Sequence, residues 1–132
     1  MCEQYPRDSS KQLYDNAREL MDAKRFEDAL AIFQKSFALC PHAKTLELMG
    51  ECHATLGRQI EAIIALAAAT SFGRHERPPT LLARMLRESG HLQAALEFAR
   101  MAAGRNAGNP ACRRLVEEIE VQLASETTPP PR

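Results

Sequence analysis

The sequence contains no tryptophan, and only 5% of its residues are aromatic, so it offers no stacking platform for unpaired bases. It also lacks an excess of either charge. Seventeen basic residues offset 17 acidic ones, which removes any general pull toward nucleic acid or an anionic membrane. Its longest apolar run, Ala62–Ala69, falls far short of the roughly 20 residues a membrane-spanning helix needs. The opening stretch MCEQYPRDSS has neither the basic segment nor the apolar core of a secretory signal, and a cytoplasmic location is expected. Cysteine is sparse: Cys2, Cys40, Cys52 and Cys112 are too scattered for a disulfide framework and are expected as reduced thiols.

Chemistry-bearing motifs are missing as well. The chain has no nucleophile elbow, phosphate-binding loop, zinc-protease helix or dinucleotide fingerprint, so neither enzymatic activity nor a cofactor is expected. Cys40, His42, Cys52 and His53 come nearest to a metal-ligand set. Cys52 and His53 are neighbours on one expected helix, about 100° apart, and both can hardly reach the same tetrahedral ion. No metal is expected.

Alanine and leucine are abundant, which favours helix. The stretch 44–72 reads as helix, turn, helix, with Leu46, Met49, Gly50 and His53 on one side of the first and Ile60, Ile63, Leu66 and Ala69 along the second. Shifting the chain on itself by 33 residues then brings equivalent positions together. Ala17, Gly50 and Ala83 coincide, as do Ala29, Ala62 and Ala95, and Ser36, Ala69 and Ala102. Phe33, Leu66 and Ala99 follow suit, and Lys24, Gly57 and Gly90 fall at the turn. Small residues recur where two antiparallel helices must approach closely, and glycine recurs where a helix ends left-handed. Such a period is the signature of stacked repeats, three being about the fewest that are stable.

This pattern resembles the tetratricopeptide repeat family. The first repeat (about 10–42) carries Leu13, Ala17, Leu20, Phe26, Ala29, Phe33, Ser36 and Pro41. The second (about 43–75) keeps Met49-Gly50, Gly57, Ala62 and Ala69, and the third (about 76–109) keeps Ala83, Gly90, Ala95 and Ala102. The period is 33 rather than the family's usual 34, and the second repeat lacks a terminal proline. The resemblance implies an all-α fold, an α-α superhelical solenoid of three helical hairpins. A capping helix is expected over 110–124, with Leu115, Ile119 and Leu123 facing the core. Residues 1–9 are expected as a loose lead-in, with Asp8, Ser9 or Ser10 capping the first helix, and 125–132 as a disordered proline-rich tail.

The same resemblance implies a non-catalytic scaffold or adaptor that takes a peptide or helix in a concave groove lined by the first helices. By register, that groove presents Lys11, Tyr14 and Arg18, then Lys44, Glu47 and Glu51, then Arg77, Arg84 and Arg87. The three arginines form a basic strip suited to a protein partner bearing acidic groups. Family members that clamp a chaperone's C-terminal carboxylate use lysines and asparagines, whereas the corresponding slots here hold Tyr14, Arg18, Leu48, Arg77 and Leu81. An alternative role is a cytosolic chaperone of secreted proteins, since Gly50-Glu51-Cys52 and the proline-containing break before the third repeat resemble three-repeat chaperones of type III secretion. Their long N-terminal helix is not expected here. A second surface is also foreseen. In the second repeat Ile60, Ile64, Ala67 and Ala68 take outward slots, marking a contact with a second copy or a fixed partner.

Overall fold

The computed structural model describes residues 4–127, and side chains from 7 to 126. Seven helices occupy these residues, with no strand among them: α1 Gln4–Asp22, α2 Phe26–Leu39, α3 Ala43–Thr55, α4 Gln59–Phe72, α5 Arg77–Glu88, α6 Leu92–Arg105 and α7 Pro110–Thr127. The all-α class follows. The repeat is visible in the bounds themselves. The second helix of each hairpin starts at residues 26, 59 and 92 and ends at 39, 72 and 105, a step of 33 in every case.

The turns within the hairpins repeat at the same interval. Lys24, Gly57 and Gly90 all have left-handed backbone, with φ of 62°, 79° and 84°. In each, the amide of the left-handed residue donates three residues back (Lys24 to Met21, Gly57 to Ala54, Gly90 to Arg87). The next amide donates five residues back (Arg25 to Leu20, Arg58 to His53, His91 to Leu86). This pair of bonds satisfies the orphaned carbonyls at the end of α1, α3 and α5.

Small residues let the paired helices close on one another. Ala17, Ala29, Ala62, Ala69, Ala83, Ala95, Ala99 and Ala102 are fully buried. At Gly50 a Cβ would lie 2.8 Å from the Leu66 side chain, so only glycine fits α3 against α4 as they stand. Larger side chains fill the space around these crossings, with Phe33, Leu66, Leu82 and Ile119 among the most completely enclosed.

The chain divides into two compact units, Met1–Gly73 and Arg74–Arg132. The first holds α1–α4. Its core gathers Ala17, Ala29, Leu30, Phe33, Leu48 and Cys52. A polar staple ties its first hairpin: Ser10 donates to the Ser36 carbonyl at 2.8 Å, and Ser36 donates to the Ser10 carbonyl at 2.7 Å. Arg58 pairs with Glu27, linking the starts of α4 and α2. The second unit holds α5–α7, with Ala83, Ala95, Leu96, Ala99, Leu115 and Ile119 at its centre. The apolar stripe read for the capping helix is therefore the stripe α7 buries.

The ends differ from expectation. Helix α1 is already formed at Gln4, so the stretch read as a loose lead-in is helical as far as it is described. Ser10 is not a cap; its hydroxyl is used on Ser36, and burying it there lets α1 continue past it. At the other end α7 runs to Thr127, beyond the expected stop at Ala124, and residues 128–132 of the proline-rich tail lie outside the described residues. Cys52 and Cys112 are buried free thiols, whereas Cys40 is disulfide-bonded, contrary to the expectation of four reduced cysteines.

Candidate functional site

Residues on the first helices meet at two cavities, one in each unit. In the first unit Lys11, Tyr14 and Lys44, all anticipated for the groove, line a cavity of about 390 Å³ between α1 and α3. The Tyr14 ring is half-buried and packs edge-to-face on Phe33, with centroids 5.8 Å apart. A core contact thus holds an aromatic wall in place at the cavity. Both lysines are matched from their own helices: Lys11 to Asp15 at 3.0 Å, and Lys44 to Glu47 at 2.7 Å. This cavity therefore presents an aromatic wall and neutralised rims.

Glu47 departs from its expected place on an open groove face. It is 2% exposed, with its carboxylate beneath the Lys44 ammonium. A buried carboxylate alone would cost several kcal/mol, and the lysine one turn earlier offsets that cost. Arg18 is exposed and Glu51 half-buried, and neither lines this cavity. Behind Glu51, burial first and the Glu51 charge second push the Cys52 thiol up to about 11, so it remains protonated and packs as a small apolar group.

In the second unit Arg84 and Arg87 line a cavity of about 780 Å³ between α5 and α7. Arg77, on the same helix, does not line it. In its stead α7 supplies Arg114, with Glu118 and Gln122 one and two turns further on. Arg87 spans the two helices, donating from Nη1 to Glu118 at 3.0 Å and from Nε to Gln122 at 2.9 Å. Arg114 lies outside the residues expected for the groove, because α7 is expected only as a cap. A signal was available: α7 begins 33 residues after α5, so the register runs on and sets Arg114 beside the α5 arginines.

The α4 face is open where it was expected to be. Ile60 is 72% exposed and Ile64 63%, while Ala67 and Ala68 are half-buried rather than fully displayed. Phe72, which was not anticipated, extends the apolar surface at 58% exposure and meets Phe37 edge-on. Among the described residues no three His, Cys, Asp or Glu side chains come together as a metal set, and no helix is long and apolar enough to cross a membrane.

Paired helices ending in left-handed turns every 33 residues, with first-helix residues gathered at cavities, define a tetratricopeptide-like helical repeat. No protein-family model and no curated protein matches the chain. Solved structures do. The type III secretion chaperone SycD of Yersinia enterocolitica, in complex with a peptide of the translocator YopD, aligns with a TM-score of 0.79 at 22% identity, covering 87% of this chain and 95% of that one. PcrH of Pseudomonas aeruginosa, in complex with the chaperone-binding region of PopD, aligns at 0.73 and 24%, covering 89% and 90%. The Sgt2 TPR domain of Aspergillus fumigatus aligns at 0.79 and 17%, covering 94% and 86%. At such identities the likeness establishes the fold.

Proposed function

We propose that this chain is a non-catalytic protein-interaction module that holds a peptide or helix of a partner protein against its first helices. The observation that carries this reading is the gathering of Lys11, Tyr14 and Lys44 at one cavity and of Arg84 and Arg87 at another. Side chains on rigid helices around open cavities can bind a partner without reacting with it. We place this work in the cytoplasm. The test is affinity purification of the tagged chain followed by mass spectrometry, run beside Tyr14→Ala and Arg84→Glu. A partner that depends on either residue supports the reading, and partners retained equally by both variants overturn it.

A narrower role, cytosolic chaperone of a secreted protein, is favoured by the likeness to the type III secretion chaperone SycD with a translocator peptide bound and to PcrH with the chaperone-binding region of PopD bound. Under that role the captured protein is soluble when co-expressed with this chain and aggregates without it. An adaptor's partner stays soluble in both conditions. The α4 face is proposed as a separate contact, with a second copy of the chain as its occupant.

A further inference from the structure

The α5–α7 cavity continues into a second one of about 520 Å³, which shares Arg87, Arg114, Glu118 and Gln122 with it and adds Val121 and Ser125. Together they form a trough along α7. The arginines within it differ in state. Arg87 is held by Glu118 and Gln122, and its charge is matched. Arg84 and Arg114 are exposed and carry no ion pair among the described residues, so two guanidinium groups face the same cavity uncommitted. Glu88 lines the cavity and Glu117 the extension, both likewise unpaired, so the three arginines and three glutamates of the trough balance overall, and the cavity between α5 and α7, with Arg84, Arg87 and Arg114 against Glu88 and Glu118, keeps one positive charge in excess. Val121, 69% exposed, gives the far end an apolar contact.

We propose that this trough docks an internal acidic segment of the partner protein, whose side-chain carboxylates pair with Arg84 and Arg114 while an apolar neighbour covers Val121. Guanidinium groups suit carboxylates because their planar fork can donate two parallel hydrogen bonds. The site takes the middle of a chain rather than its end because the trough runs on past the arginines to Val121 and Ser125. Arg87 acts as a positioning residue: its bonds to α7 hold Arg114's helix against α5. This inference rests on the binding-module reading and gives it a partner chemistry.

The probes are blocked tetrapeptides followed by NMR of the arginine side-chain Nε–H signals. Acetyl-LEEL-amide shifts the Arg84 and Arg114 signals together, while acetyl-LQQL-amide does not. Arg84→Gln and Arg114→Gln, both on exposed positions, each weaken binding about tenfold. Glu88→Gln, which removes an opposing charge, strengthens it about twofold to threefold. Arg58→Gln, altering an arginine of the other unit that is already paired with Glu27, leaves it unchanged. Raising the salt concentration weakens binding by screening. Equal affinity for acetyl-LQQL with a free C-terminal carboxylate would overturn the internal-segment assignment, and binding indifferent to Arg84 and Arg114 would overturn the site. A chain that captures a Tyr14-dependent partner but fails this titration loses the acidic site alone. One that passes the titration yet captures no partner loses the broader reading instead.

Discussion

At the residue scale, Lys24 is the most informative position. It occupies the slot that Gly57 and Gly90 fill in the sister hairpins, and it adopts their left-handed backbone with a side chain attached. That conformation costs about 1–2 kcal/mol for a residue with a Cβ. Glycine at such a site returns part of that advantage through its greater freedom when unfolded, about 0.5–1 kcal/mol. Lys24→Gly is therefore expected to stabilise the chain by about 0.5–1 kcal/mol. The converse holds at Gly57 and Gly90, where a Cβ would meet nothing within 4 Å, so the cost of alanine is conformational alone. Gly57→Ala and Gly90→Ala should each destabilise by about 0.5–1 kcal/mol. Urea denaturation of the three variants decides the matter, and a destabilised Lys24→Gly would count against it. The turn at Lys24 was legible from register alone. The burial of Glu47 was not, because a charged residue one turn after a lysine looks the same in sequence whether the pair is open or enclosed.

At the element scale, the segment leading into α5 is fastened by polar contacts from the far end of α6. Arg105 donates to the His75 carbonyl at 3.0 Å, and Asn106 donates to the Glu76 carboxylate at 3.1 Å. The Asn106 hydrogen bond, followed by Glu76's own backbone bond, holds the Glu76 carboxyl below its ordinary value of 4.5. A carboxyl depressed in the folded chain contributes stability above its unfolded value, and that contribution is lost as pH falls through the folded one. Asn106→Ala should raise the Glu76 titration midpoint toward the ordinary value and lower Tm modestly at pH 7. The difference from the parent should narrow in acid. A carboxyl-carbon NMR titration of Glu76 that does not move would refute the assignment. Helix bounds were mostly readable at this scale, since all three second helices start where the register puts them. The start of α1 was misread because Ser10 resembles a cap in sequence, whereas its partner Ser36 lies 26 residues away.

For the whole molecule, the question is what covers the α4 face. Leaving Ile60 and Ile64 as exposed as they are forgoes roughly 2–4 kcal/mol of apolar burial. With self-association through this face, Ile60→Glu combined with Ile64→Lys lowers the mass measured by sedimentation and leaves helical circular dichroism unchanged. A parent chain that is already monomeric at the same concentration removes the idea. Sequence by itself determined the repeat, its period, the left-handed turns and the small residues at the helix crossings, because each depends on contacts between positions a fixed distance apart. Only the tertiary structure decided which charges stay available. Glu47 was withdrawn beneath Lys44, and Arg114 was brought from α7 to the cavity that Arg84 lines. Charge availability depends on which helices become neighbours and on how deeply each side chain is covered, and a one-dimensional period carries neither.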